Sequence, residues 1–177
     1  MSSTPDHVDR IQDEWRRERP DIDVRPAGII GRLHRLAALL TVELLRVYQD
    51  HGLTEGDFDV LCALRRAGAP FERQPAELAR TTMITTGGLT KRLDRLEAAG
   101  LVSRTPARDD GRAKVARLTP VGRRVIDDAF TDHMGNEAGL VALLPEGDRL
   151  ELERILREWA AALQAHGRGA GRNAPRP

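Results

Sequence analysis

The sequence of 177 residues has little of what a disulfide-stabilised, zinc-binding or membrane-spanning protein needs. A single cysteine, Cys62, excludes an intramolecular disulfide and a cysteine-rich zinc site, and it suits a reducing compartment. The longest uncharged, largely apolar stretch, residues 36–42, is far shorter than the roughly 18 residues that span a bilayer. The start, MSSTPDHVDR, lacks the apolar core of a secretion signal. We therefore expect a cytoplasmic protein with no membrane partner.

Neither sign of charge is in excess, because 28 Lys and Arg residues oppose 27 Asp and Glu residues and leave a formal net charge of +1. Binding to DNA phosphates requires a surplus of cations at the contact, so a near-neutral mean argues against a nucleic-acid partner unless the cations are clustered. Residues 73–117 hold ten Lys and Arg residues against five Asp and Glu residues. This segment therefore has a net charge of +5, and the rest of the chain has −4.

Helical periodicity marks both ends of the chain. Residues 5–18 have a helical pattern, with Thr4 as the N-cap. Residues 29–48 place apolar side chains at alternating steps of three and four, and apolar residues repeat on one helical face between Pro145 and Leu163. A helix as apolar as 29–48 needs more than one neighbour, and a second subunit would serve.

The middle of the chain has the pattern of a helix-turn-helix. Thr54 and Asp57 have the spacing of a capping box at the start of one helix. A short helix over residues 75–80 is followed by a four-residue turn and a longer helix over residues 86–99. Two helices joined by so short a turn predict a helix-turn-helix, whose second helix contacts DNA.

A hairpin follows these helices. The β-prone runs 101–104 and 115–118 lie on either side of Asp110-Gly111, a hairpin turn signal. Together with the two preceding helices, the hairpin completes a winged helix-turn-helix. We predict a mainly α-helical fold in which this module lies between long N- and C-terminal helices, with the +5 segment on the module.

The helix over residues 86–99 has two distinct faces. Leu89, Leu93 and Leu96 cluster on one side and are expected to face the core, which leaves Lys91 and Arg95 pointing outward. Small residues in its first turn let the backbone approach the duplex. Each outward position also fits an ordinary surface residue. The candidate DNA-binding residues are Thr85, Thr86, Thr90, Lys91, Arg95, Arg108, Asp110 and Arg112, of which Arg112 suits the minor groove and Asp110 is expected to orient it.

The run ELARTTMITTGGLTKRLDRLEAAGLVSR, followed by DDGRA and LTPVGR, resembles the MarR family of bacterial transcriptional regulators. The resemblance covers about residues 29–164. It implies an obligate homodimer, held by the first long helix and the last two, that binds successive major grooves of a pseudopalindromic operator in double-stranded DNA. The chain then divides into an N-terminal extension (1–24), a dimerisation helix (25–50), the DNA-binding domain (51–119), C-terminal dimerisation helices (120–166) and a disordered tail (167–177).

The N-terminal addition DEWRRERPDID, together with DFDVL, resembles the urate-responsive subgroup of this family. That resemblance implies a ligand site made of Trp15, Asp59, Arg92 and Arg104. Urate is a flat anion, which suits an aromatic wall and guanidinium groups. We expect Arg92 to face inward and pair with Asp59, so that an anion competing for the arginine releases the recognition helix.

Several of these residues have structural alternatives. Trp15 also fits a packing anchor, Asp59 a structural ion pair and Arg104 a phosphate contact. Cys62 shares a helix face with Phe58, which favours a buried core position over a thiol redox sensor.

The function predicted from these features is a ligand-responsive repressor whose DNA binding is attenuated by urate or a related purine. Within the same fold, the alternative effector is another small aromatic or phenolic anion. An enzyme is the alternative from a different class, but no segment has the spacing of a catalytic triad, a phosphate loop or a metal site. No catalytic residue, metal or cofactor is therefore expected. The basic helix and hairpin argue against an interaction module that has lost DNA binding.

Overall fold

The computed structural model describes residues 4–82, 86–106 and 114–170. Within these ranges the chain is mainly helical with a small antiparallel sheet, and the predicted fold class is confirmed. The elements in chain order are α1 (His7–Glu18), α2 (Arg25–Asp50), α3 (Glu55–Arg65), β1 (Glu72–Arg73), α4 (Pro75–Thr81), α5 (Thr86–Ala98), β2 (Val102–Pro106), β3 (Lys114–Leu118), α6 (Pro120–Val141) and α7 (Glu146–Ala170).

Helix α1 begins later than its periodicity predicts, because Asp6 and not Thr4 is its N-cap. The Asp6 carboxylate accepts hydrogen bonds from the backbone N–H groups of Val8 and Asp9, and Asp9 accepts one from the Asp6 backbone. The negative charge of a carboxylate at this position also interacts favourably with the positive end of the helix dipole. The guanidinium of Arg32 on α2 pairs with both Asp6 and Asp9, which ties the start of α1 to α2.

Helix α2 begins four residues before the apolar periodicity does, since Pro26 is accommodated in its first turn. It ends at Asp50, followed by His51 as the C-cap and Gly52 with φ of 67°. Large apolar side chains along α2 remain exposed in the single chain, namely Ile29, Ile30, Leu36, Leu39, Leu40 and Val42.

The core lies between α3, α5, the sheet and the start of α6. Leu89, Leu93 and Leu96 of α5 are buried, which confirms the predicted inner face of this helix. They pack in one cluster with α3 side chains that include Leu61 and Leu64. Because each fully buried leucine contributes about 1.5–3 kcal/mol, this cluster holds α5 on α3.

The sheet has the strand order β1-β3-β2, with both pairs antiparallel. The hairpin of β2 and β3 agrees with the sequence prediction, while β1 was not predicted because two residues are too few to show an alternating pattern. Glu72 of β1 lies opposite Arg117 of β3 and forms an ion pair with it. The cross-strand pair fixes the register of this short strand.

The described residues divide into two compact units, one within 4–133 and one within 134–170. In the second unit, α7 carries ion pairs one turn apart, such as those of Arg154 with Glu151 and Glu158. The helix continues to Ala170, three residues past the point at which disorder was expected to begin, because propagation of an existing helix costs less than nucleation. Residues 171–177 lie outside the described part. No helix among the described residues is long and apolar enough to cross a membrane.

Candidate DNA-binding and effector site

Helix α5 presents a polar side opposite its buried leucines. Thr90 and Lys91 are exposed there, as predicted. Their exposure leaves a hydroxyl and an ammonium group available to a partner outside the chain. The predicted contacts Thr85, Arg108, Asp110 and Arg112 lie outside the described residues, as does the side chain of Thr86.

Arg95 was expected to point away from the protein, but its guanidinium is bound to the start of α3. Its Nη2 donates a hydrogen bond to Oγ1 of Thr54 at 2.7 Å and forms a close ion pair with Asp57. The side chain is still 51% exposed. Arg95 therefore connects α5 to α3 along one edge while part of it remains accessible from solvent.

The partner of Arg95, Asp57, is almost completely buried, with 4% of its side chain exposed. Its Oδ2 accepts hydrogen bonds from the backbone N–H of Thr54 at 3.0 Å and from the Thr54 hydroxyl at 2.8 Å, in addition to Arg95. Burial on its own raises the pKa of Asp57, but the hydrogen bonds from Arg95 and Thr54 outweigh it and hold the pKa below the ordinary value of 3.8. The carboxylate is therefore charged at neutral pH.

Arg92 faces inward, as predicted, with 27% of its side chain exposed. Its guanidinium lies directly against the backbone of Gly56 on α3, in the space that a Cβ at position 56 would occupy. Its Nε lies 4.0 Å from Oδ1 of Asp57. A glycine at position 56 is therefore what lets the arginine approach α3 so closely.

A cavity of about 580 Å³ opens beside Arg92, a size suited to a small heterocyclic ligand. Asp59 and Arg92 both line it, so the structure brings two of the four predicted ligand residues together. The remaining lining residues are Leu45, Gln49, Leu53, Thr54, Glu55 and Gly56.

The expected ion pair between Asp59 and Arg92 is not formed, since the carboxylate that faces Arg92 belongs to Asp57. The reason is helical geometry. Residues two apart on a helix differ by ~200° in direction, so Asp57 and Asp59 cannot both point at α5. Asp57 is buried against α5, whereas Asp59 is partly exposed in the cavity wall.

The other two predicted ligand residues lie elsewhere. Arg104 pairs with Asp94 at 2.7 Å, and its Nε donates to Glu97 at 2.8 Å. This hydrogen bonding lowers the pKa of Glu97. Asp94 is two residues beyond Arg92, and therefore ~200° around α5 from it. Trp15 on α1 is 54% exposed, and neither Trp15 nor Arg104 lines the cavity.

Cys62 lies in the wall of a second cavity, of about 460 Å³, together with Phe58, Phe130 and His133. The thiol is partly buried, and burial raises its pKa from 9.0 to about 11. A thiol with so high a pKa is protonated at neutral pH and is a poor nucleophile, which agrees with the structural interpretation of this cysteine.

Sequence reasoning missed the joint role of Gly56 and Asp57. The capping-box spacing did single out Asp57, and the box with Thr54 is present. A capping box, however, predicts only that the carboxylate caps its own helix. The approach of two arginines from α5 depends on how that helix packs, which has no local sequence signal.

Comparison with known proteins identifies the family to which the chain belongs. A model described as the MarR family matches residues 51–113. The transcriptional regulator PecS of Dickeya dadantii (strain 3937) is 37% identical over 149 residues, which cover 84% of this chain and 90% of that protein.

Solved structures agree with this relationship. AbsC, a MarR family transcriptional regulator from Streptomyces coelicolor, is 26% identical with a TM-score of 0.68, over 81% of this chain and 98% of AbsC. A cysteine-to-serine mutant of MarR from Escherichia coli, in complex with operator DNA, is 26% identical with a TM-score of 0.61, over 77% of this chain and 98% of that one.

Proposed function

This chain belongs to the MarR family of transcriptional regulators, and on that premise we propose that it is a repressor that binds a pseudopalindromic operator as a homodimer and releases it when urate or a related purine binds. Its relatives and structural neighbours are DNA-binding regulators, and the chain is not an enzyme.

The proposed DNA contact is the exposed side of α5 together with the hairpin. Lys91 and Thr90 support this assignment because they are exposed on the helix that follows the short turn. The surplus of five positive charges over residues 73–117 adds the sequence-independent attraction to phosphates. The remaining proposed contacts are Thr86 and Arg95 on α5, Thr85 directly before it, and Arg108 and Arg112 with the orienting Asp110 between β2 and β3.

A homodimer is supported by apolar surface that the single chain leaves exposed. On α2 the exposed fractions of Ile29 and Leu39 are 61% and 65%. On α7, considered separately, Leu150 and Leu163 are also exposed. Exposed apolar side chains repeated along a helix are typical of subunit interfaces, and a second copy of the chain would cover them.

The effector proposal rests on one observation: Asp59 of α3 and Arg92 of α5 open into the same cavity. Arg92 is on the recognition helix, so an anion that draws its guanidinium into the cavity acts directly on the element that reads DNA. The planar guanidinium suits the oxygens and nitrogens of a purine anion, and Asp59 can accept from its ring N–H groups. Trp15 and Arg104 join this proposal through the family resemblance alone.

A small phenolic anion is the second candidate effector. The cavity wall combines Leu45 and Leu53 with Arg92, a combination that also suits a benzene ring carrying a carboxylate. The two candidate effectors differ in how they interact with the Asp59 carboxylate. A purine offers N–H donors to this carboxylate, whereas a benzoate-like anion is repelled by it.

The test measures binding of the protein to duplexes from the intergenic region upstream of its own gene, with urate or salicylate added. Urate is expected to weaken DNA binding and to raise the melting temperature of the free protein, because a ligand of the native state stabilises it. Arg92→Ala and Asp59→Ala should abolish both effects. Arg10→Ala, an exposed arginine on α1, is the matched control and should retain them. A parent-like response in both cavity variants would exclude this site, and a response to salicylate alone would favour the phenolic effector.

A further inference from the structure

The two carboxylate oxygens of Asp57 have different surroundings. Oδ2 is fully engaged by Thr54 and Arg95. Oδ1 is also buried, but no hydrogen-bond donor among the described residues reaches it. A buried carboxylate oxygen without a donor is costly, and its charge acts strongly on nearby cations because little water screens it.

The cation nearest to this oxygen is Arg92, whose Nε lies 4.0 Å away. Arg92 and Arg95 are three residues apart on α5, and their directions therefore differ by only ~60°. Both arginines consequently face the first turn of α3. Asp57 therefore holds α5 at two points. It forms a direct ion pair with Arg95, and it attracts Arg92 by charge without a hydrogen bond.

Gly56 fixes the second of these points. The Arg92 guanidinium lies where a side chain at position 56 would begin, so any other residue there would push it away from α3. The same guanidinium lines the cavity that Asp59 shares. Arg92 is therefore placed between a buried carboxylate and the proposed effector cavity.

We propose that Asp57 is the positioning residue that sets the recognition helix for sequence-specific DNA reading, and that Gly56 keeps Arg92 within its reach. This inference rests on the proposed function. An anion in the cavity competes with Asp57 for Arg92, and its binding leaves Arg95 as the remaining ion pair between Asp57 and α5. In this arrangement Asp59 contacts the effector, and Asp57 holds the recognition helix in place.

Positioning of this kind has a signature in DNA binding. Contacts to bases depend on the placement of α5, whereas attraction to phosphates depends mainly on net charge. Loss of the Asp57 charge should therefore weaken binding to the preferred sequence. It should leave binding to unrelated DNA unchanged, or strengthen it slightly, because the protein loses one negative charge.

The experiment begins by selecting the preferred duplex of the full-length protein from a random-sequence pool. The dissociation constants of the parent, Asp57→Asn and Asp128→Asn are then measured for this duplex and for a scrambled one. Asn at position 57 is nearly isosteric and still accepts from Thr54, and Asp128→Asn removes the same charge from an exposed position on α6. We expect Asp57→Asn to lower the ratio of preferred to scrambled affinity about tenfold, the loss typical of one broken base contact, and Asp128→Asn to preserve the ratio.

A parent-like ratio in Asp57→Asn would overturn the inference, as would an equal loss in Asp128→Asn. If Asp57→Asn does not fold, Gly56→Ala gives the decisive measurement, because it displaces Arg92 without altering Asp57. Its ratio should fall, and an unchanged ratio would again overturn the inference. A parent that selects no duplex contradicts the proposed function itself, which distinguishes the two failures.

Discussion

The guanidinium of Arg92 occupies the space that the Cβ of any residue other than glycine at position 56 would fill, so Gly56 and Arg92 are fitted to each other across the contact between α3 and α5. The obstacle to a larger residue at position 56 is the far end of a flexible side chain. A substitution there should therefore move Arg92 and leave the backbone in place.

Replacement of Gly56 with alanine is expected to weaken the response to the effector without lowering the stability of the protein. Alanine favours a helix by about 0.5–1 kcal/mol over glycine, and the arginine can swing away, so the melting temperature should be equal to or above that of the parent. The shift in melting temperature that urate causes should be reduced, because Arg92 has left its place in the cavity wall.

Gly135→Ala provides the control for this change. No described atom lies within 4 Å of a Cβ at this helical position on α6. Gly135→Ala should therefore give the same gain in helix stability and keep the full response to urate. A fall of several degrees in the melting temperature of Gly56→Ala would show that Arg92 cannot move away as we expect.

Gly122→Ala should destabilise the protein. A Cβ at this position would overlap the backbone carbonyl of Leu101, the residue directly before β2. A backbone group cannot rotate away as the end of a flexible side chain can. Overpacking of this kind costs about 1–3 kcal/mol in the free energy of unfolding, measured by urea titration at fixed protein concentration. Stability equal to that of the parent would mean that the start of α6 can shift away from Leu101.

Lys91→Gln should reduce the salt dependence of DNA binding. Each phosphate contact contributes about 0.9 to the slope of log affinity against log salt concentration, so loss of one contact should lower the slope by about one unit. The affinity should fall by a similar factor for the preferred duplex and for a scrambled one. Arg10→Gln removes one positive charge from α1 and should leave the slope unchanged; a comparable drop would assign the effect of Lys91→Gln to net charge alone.

Asp57 should contribute to stability in a pH-dependent manner. Its pKa in the folded protein is below 3.8, because hydrogen bonds from Arg95 and Thr54 outweigh the effect of burial. The folded state therefore binds this proton more weakly than the unfolded chain, so the contribution is complete above pH 3.8 and is lost as the pH falls through the lower, folded-state pKa.

The difference in unfolding free energy between the parent and Asp57→Asn should accordingly be constant between pH 7 and 5 and shrink below pH 3.8. Urea titrations across this range measure it. Asp128→Asn, on the exposed side of α6, is the control and should show a small difference throughout. A difference for Asp57→Asn that increases as the pH falls would contradict the assigned hydrogen bonds.

Cys62 should react slowly in the native protein. Burial raises its pKa from 9.0 to about 11, and the thiolate is the reactive form. At pH 8 the thiolate population, and with it the rate of alkylation by iodoacetamide, should be about a hundredfold lower than in the urea-unfolded chain. Mass spectrometry of timed samples gives both rates. Similar rates in the two states would restore this residue as a candidate redox sensor.

The helices with strong periodicity were predictable because their signals are local. Leu89, Leu93 and Leu96 identify the inner face of α5 by spacing alone, and the structure buries all three. Thr54 and Asp57 form the predicted capping box, because its hydrogen bonds join residues only three positions apart. The N-cap of α1 was misplaced by two residues, since Thr4 and Asp6 both have side chains that can cap.

Elements that depend on distant partners were missed. Strand β1 has two residues and exists because β3 offers an edge to pair with. The two predicted ligand residues that meet, Asp59 and Arg92, do so without the expected ion pair.

The sequence alone determined the mainly helical class, the order of the helices and the hairpin, the buried face of α5 and the concentration of positive charge on residues 73–117. Each of these follows from periodicity, capping or composition within a short segment. Only the tertiary structure decided that Asp57 receives Arg95 and faces Arg92, and that Gly56 makes room for Arg92. Those relationships join residues more than thirty positions apart, and packing of the leucine core sets their distances.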